Sequence, residues 1–70
     1  MKSIPYIFSH TEEYVGKRIR CIHMYDPNPI QPNTYGTIIM VDSMGTIHVS
    51  WDNGRTLGVI PDEDDFEIYD

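Results

Sequence analysis

Seventy residues and 8.1 kDa allow one domain. A chain of this size buries only about 60% of its unfolded surface, which leaves little room for a deep active-site cavity. Eleven acidic residues against five basic ones give a net charge of −6, and so few cations disfavour a groove that neutralises many duplex phosphates. The single cysteine, Cys21, excludes an internal disulfide. With no signal-like or membrane-length apolar run, the expected compartment is the cytoplasm.

The apolar set is rich in β-branched side chains, with ten Ile, four Val and five Thr against one Leu and no Ala. Such residues lose rotamer freedom in helices and pack well on pleated sheets, so the chain reads as mainly β. Charge is uneven: residues 1–24 carry +2 and residues 25–70 carry −8, with six of the eleven acids in Pro61–Asp70.

Residues 1–8 show no pattern and read as an N-terminal arm, with the domain proper over 9–70. Ser9-His10-Thr11-Glu12 has capping-box spacing, which predicts one helical turn running through Tyr14 and ending at Gly16. Lys17–Met24 reads as a first strand, with Ile19 and Cys21 on one face and Arg18 and Arg20 on the other. Three prolines then make Asp26–Asn33 a stiff loop, because proline lacks the amide that a central strand needs. Pro32-Asn33 suits the central positions of a type II turn, where Asn tolerates positive φ.

Tyr35–Val41 is the second expected strand, and Asp42-Ser43-Met44-Gly45 turns it back into a third, Gly45–Trp51. There Ile47, Val49 and Trp51 alternate with Thr46, His48 and Ser50. A three-residue Asp52-Asn53-Gly54 loop with a glycine bulge pairs Trp51 with Arg55, Val49 with Leu57 and Ile47 with Val59. A two-residue turn instead sends Leu57 and Val59 to the wet face, so the three-residue register is preferred. Pro61 ends this fourth strand, Asp62-Glu63-Asp64-Asp65 forms an acidic turn, and Phe66–Tyr69 returns as a fifth strand with Phe66 and Ile68 inward. The expected fold is a small, SH3-like, five-stranded half-open barrel with one short N-terminal helical turn.

A run of residues through this pattern carries a family likeness. It comprises Arg18-Ile19, Met24, Asp26-Pro27, Pro29-Ile30, Pro32, Gly36-Thr37-Ile38, Val41-Asp42, the dense stretch Gly45–Gly54, Leu57, Ile60-Pro61, Glu63-Asp64 and Phe66. Over Gly16–Tyr69 the chain resembles domain of unknown function 4314, a small family of bacteria, phages and conjugative elements. It departs from that pattern at Asn33, where Gly is expected before Thr34, and at Asp62, where Gly is expected after Pro61. The resemblance implies a phage or mobile-element setting and supplies no activity. The Trp51-Asp52-Asn53-Gly54 hairpin is also similar to one in SH3-like repeats of some ubiquitin ligases that bind peptides.

No set of side chains predicts catalysis. Cys21 and His23, two apart and expected on one strand face, lack the further convergent ligands that zinc requires, and Cys21 reads as core. The acidic turn lacks the glycine and distal glutamate of a calcium loop and reads as a cap on backbone amides. No nucleophile with a supported base and no phosphate-cradling glycine loop is present. The expectation is therefore a non-enzyme with no cofactor and no metal.

The aromatics are the remaining candidates. Tyr25 and Tyr35 flank the proline loop, and Trp51 with Arg55 ends the neighbouring hairpin; together they can line a groove for an extended peptide or for bases. The competing reading makes Trp51 core, the tyrosines half-buried packing and Arg55 a cation packed on the indole. His48 faces outward opposite Gly58, either as a binding contact or as a solvated strand residue. The expected function is a non-catalytic interaction module for a protein partner, through Tyr25, Tyr35, Trp51, Arg55 and His48. The alternative is single-stranded nucleic acid, with Lys17, Arg18 and Arg20 supplying cations. No membrane or small-molecule substrate is expected.

Overall fold

The computed structural model describes residues 11–69. The arm expected over 1–8 and the Ser9 cap lie outside the described residues. Among the described residues helical content is one 3-10 turn, Thr11–Tyr14, followed by Gly16 at φ 91°. Four strands follow: β1 (Arg18–His23), β2 (Tyr35–Val41), β3 (Ile47–Trp51) and β4 (Asp65–Tyr69). They form one open antiparallel sheet in the order β3-β2-β1-β4. No helix among the described residues is long and apolar enough to cross a membrane.

The alternation read from sequence places the core. One face of the sheet buries Ile19, Cys21, Ile38, Ile47, Val49, Trp51 and Phe66, and Met24, Ile30 and Val59 close over it from the connections. Tyr14, Val41, Leu57 and Ile68 pack at its margin. β-Branched side chains dominate this cluster because a half-buried pleated surface favours them.

Three turns follow local chemistry. Asn33 takes φ 69° and Thr34 N–H donates to the Gln31 carbonyl at 3.2 Å, the positive φ expected at the third turn position. The Asp42 carboxylate accepts the amides of Met44 and Thr46, and Gly45 supplies φ 89°. In the Asp52–Gly54 loop, Gly54 N–H donates to the Trp51 carbonyl and Trp51 N–H to the Arg55 carbonyl. With Gly54 at φ 92°, this is the three-residue register with its glycine bulge.

The expected fourth strand does not form. Its two ends keep the anticipated register, through the Trp51–Arg55 bond and a reciprocal pair of bonds between Ile47 and Val59. Between them the Trp51 indole N–H donates to the Leu57 carbonyl at 2.7 Å. A buried indole needs an acceptor, and it takes the carbonyl that the expected ladder would have paired with Val49. The sheet therefore has four strands rather than five. A second correction concerns His23. The β1–β4 register shifts between Cys21 and His23, so Cys21 pairs with Phe66 in the core while His23 pairs with Asp65 and is exposed. The bulge breaks the alternation that would have put both side chains on one face.

Gly36 opposes Trp51 in the β2–β3 ladder, where a Cβ would lie 2.5 Å from Val49 Cγ1 and 2.9 Å from Trp51 Cε3. Both neighbours are fully packed, so Gly36→Ala is expected to destabilise the fold by about 1–3 kcal/mol through overpacking. Chemical denaturation measures it; a change below about 0.5 kcal/mol contradicts this packing.

Candidate functional surface

The proline loop leaves β1 at Met24 and is fastened at three levels. Ile30 is fully buried, and the Cys21 thiol faces its carbonyl at 3.6 Å. Cys21 N–H donates to Thr34 and Asn33 N–H to Cys21, so pairing continues past the β1–β2 ladder. From the far side, the Arg55 guanidinium donates to the carbonyls of Pro29, at 2.9 Å, and Asn28, at 2.7 Å. A stretch whose prolines cannot donate thus receives its donors from a side chain. Burial, with Asp64 nearby, pushes the Cys21 thiol above the usual range.

Asp64 ties the loop's start to the segment before β4. It is 3% exposed, and its two carboxyl oxygens accept the backbone N–H groups of Tyr25, at 2.9 Å, and Ile60, at 2.8 Å. This satisfies a buried acidic side chain and caps the 61–63 turn, as the acidic run suggested. That one oxygen reaches a residue 39 positions away in sequence had no local signal.

The solvent face of the sheet carries a polar lattice. Arg18 donates to both oxygens of Asp52 and to Thr37 Oγ1. Arg20 donates to Glu67, to the Tyr69 hydroxyl and to Asn33 Oδ1, and Tyr69 donates its own proton to Glu67 at 2.6 Å. The rings of Tyr35 and Tyr69 lie 6.0 Å apart at 33°. His48 Nε2 sits 2.9 Å from Asp42 Oδ2, and His48 pairs with Met40 of β2.

The five residues singled out from sequence therefore separate. Trp51 is 2% exposed and belongs to the core, so it does not line a groove. Arg55 fastens the proline loop. Tyr25 is 65% exposed, with its ring 4.3 Å from that of His23 in a T-shaped contact. Tyr35 lies on the solvent face against Tyr69, and His48 on the same face at β3. Tyr69 joins the surface aromatics unforeseen, although its place two residues after Glu67 on a strand is the pattern that puts both on one face. Among the described residues no group of three or more His, Cys, Asp or Glu side chains is arranged to hold a metal ion.

Three carboxylates on this face are held below their ordinary range. Asp42 is lowered by the His48 hydrogen bond and by the Thr46 and Met44 amides, Asp52 by Arg18, and Glu67 by Tyr69 and then Arg20. A lowered folded-state value means the unfolded chain binds more protons. Their contribution is thus complete above the ordinary carboxylate range of about 3.9–4.3 and is lost as pH falls through it and below. Combining Asp42→Asn, Asp52→Asn and Glu67→Gln is expected to flatten the acid limb of a stability–pH profile below about pH 4. An unchanged limb contradicts these assignments.

Compared with known proteins, no curated protein and no solved structure matches the chain. One family model does, over residues 10–69: it is described as a domain of unknown function, and by that match the chain belongs to the DUF4314 family.

Proposed function

We propose that this domain is a non-catalytic interaction module that binds a protein partner through its exposed tyrosines. The observation that carries the reading is the contrast between cations and aromatics. All four basic side chains among the described residues already have partners within the chain: Lys17 over the Tyr14 ring at 5.3 Å, Arg18 on Asp52, Arg20 on Glu67, and Arg55 on the proline loop. A nucleic-acid phosphate would compete with the existing partner at each of these four cations, whereas Tyr25, Tyr35 and Tyr69 stand at the surface without core duties. Tyrosine gives large contact area at low entropic cost, which suits protein recognition.

Within this reading Trp51 and Arg55 act from beneath, positioning the loop that displays Tyr25. The fold is then a reduced, half-open relative of the SH3-like barrel, with residues 55–60 lying beside β3 where a further strand belongs. The Trp51–Arg55 and Ile47–Val59 bonds support that view. A phage or mobile-element origin is part of the same reading and rests on the family resemblance.

Affinity capture from the native host's lysate, with and without nuclease, tests the proposal. The expected result is a defined protein retained after nuclease treatment and reduced by the combined Tyr25→Ala and Tyr35→Ala chain. The complementary measurement is titration with a single-stranded oligonucleotide at physiological salt. Retention that vanishes with nuclease, together with salt-sensitive oligonucleotide binding, overturns the reading in favour of single-stranded nucleic acid.

A further inference from the structure

The corner where the proline loop meets the segment before β4 has a chemistry of its own. Tyr25 and Ile60 are 65% and 44% exposed, yet their backbone N–H groups are both bonded to the buried Asp64 carboxyl group. Two exposed apolar side chains are thus carried on a backbone fixed from inside. His23 braces the Tyr25 ring edge-on, and the Glu63 and Asp64 amides both return to the Ile60 carbonyl. Rigid display of this kind lowers the ordering cost that weakens most surface contacts.

Among the described residues, the chain beside the corner is acidic. Asp26 follows Tyr25, Asp62 and Glu63 follow Ile60, all three exposed, and Asp65 stands opposite His23 across the β1–β4 pair. Residues 21–54 and 56–70 contain no Lys or Arg, and Arg55 between them is engaged by the Asn28 and Pro29 carbonyls of the proline loop. An exposed tyrosine with acidic residues beside it in the chain attracts a cation twice over, through the ring quadrupole and through the neighbouring charge.

Resting on the protein-binding reading, we infer that this Tyr25–Ile60 corner takes a lysine- or arginine-bearing segment of the partner, its cation over Tyr25 and its apolar neighbour against Ile60. The acidic side chains steer the segment in and select against acidic competitors. The Tyr35–Tyr69 face, whose arginines and acids are already paired, has no such preference in sign.

The test is an amide-resolved NMR titration with a short capped lysine–leucine peptide and its glutamate–leucine counterpart. The lysine peptide is expected to shift amides of residues 23–26 and 60–65, and the glutamate peptide none. Tyr25→Ala is expected to weaken binding about tenfold, Tyr25→Phe to retain it, and Asp62→Lys with Glu63→Lys to weaken it at least as much as Tyr25→Ala. These positions are exposed, and the spectra themselves report whether each variant is folded. Shifts scattered over the surface or centred on Tyr35 and Tyr69, or affinity within about twofold after Tyr25→Ala, overturn the inference. Capture of the same nuclease-resistant protein by Tyr25→Ala as efficiently as by the unaltered chain overturns it while leaving the protein-binding reading in place. Loss of all captured protein on nuclease treatment overturns both.

Discussion

Asp64 joins two parts of the chain that the sheet alone leaves unconnected. The β1–β2 connection and the 52–64 stretch between β3 and β4 hold little regular structure, and both have to close over the apolar face. A buried acidic side chain is tolerated only where its oxygens find donors, and the donors here are the amides of Tyr25 and Ile60, one from each stretch. Arg55 makes a parallel connection on the other side of the loop, to Asn28 and Pro29. With these two bridges in place Met24, Ile30 and Val59 can complete the core. An open four-stranded sheet then hides its apolar face with almost no helix to cover it.

The same bridges decide what reaches solvent. Trp51 is drawn inward by the Leu57 carbonyl, and Ile30 by the core, so the loop's outward display falls to Tyr25. On the opposite face of the sheet the arginines pair with acids from neighbouring strands, which leaves Tyr35 and Tyr69 as an uncharged aromatic pair set in a neutralised lattice. Exposed ion pairs of this type add little stability individually. Their larger effect is on recognition, since they remove free cations from a surface that would otherwise favour phosphate.

What sequence reasoning could reach was set by range. Asn33, the Asp42–Gly45 turn and the Asp52–Gly54 loop were readable because positive φ, side-chain caps and glycine bulges depend on adjacent residues. The inward set Ile19, Cys21, Ile47, Val49, Trp51, Val59 and Phe66 followed from period-two alternation. The failures were contests between distant groups. The indole of Trp51 and the ladder position of Val49 compete for one carbonyl at Leu57, and nothing in the local pattern says which prevails. The bulge that turns His23 away from Cys21 arises in pairing with β4, far along the chain. Trp51 itself illustrates the ambiguity of aromatics, for which both a groove and a core reading stand until the backbone places them. Asp64 stood among four consecutive acids, and only the fold distinguishes it from its neighbours.

The Asp64 carboxyl group locks the backbone beneath the displayed Tyr25 and Ile60. Native-state hydrogen exchange followed by NMR addresses this lock directly, because both amides are exchange-competent unless those bonds persist. The Tyr25 and Ile60 amides are expected to exchange only through global unfolding, as slowly as the Ile38 amide of β2 bonded to the Lys17 carbonyl. Exchange of either at the rate of an open loop amide would contradict it.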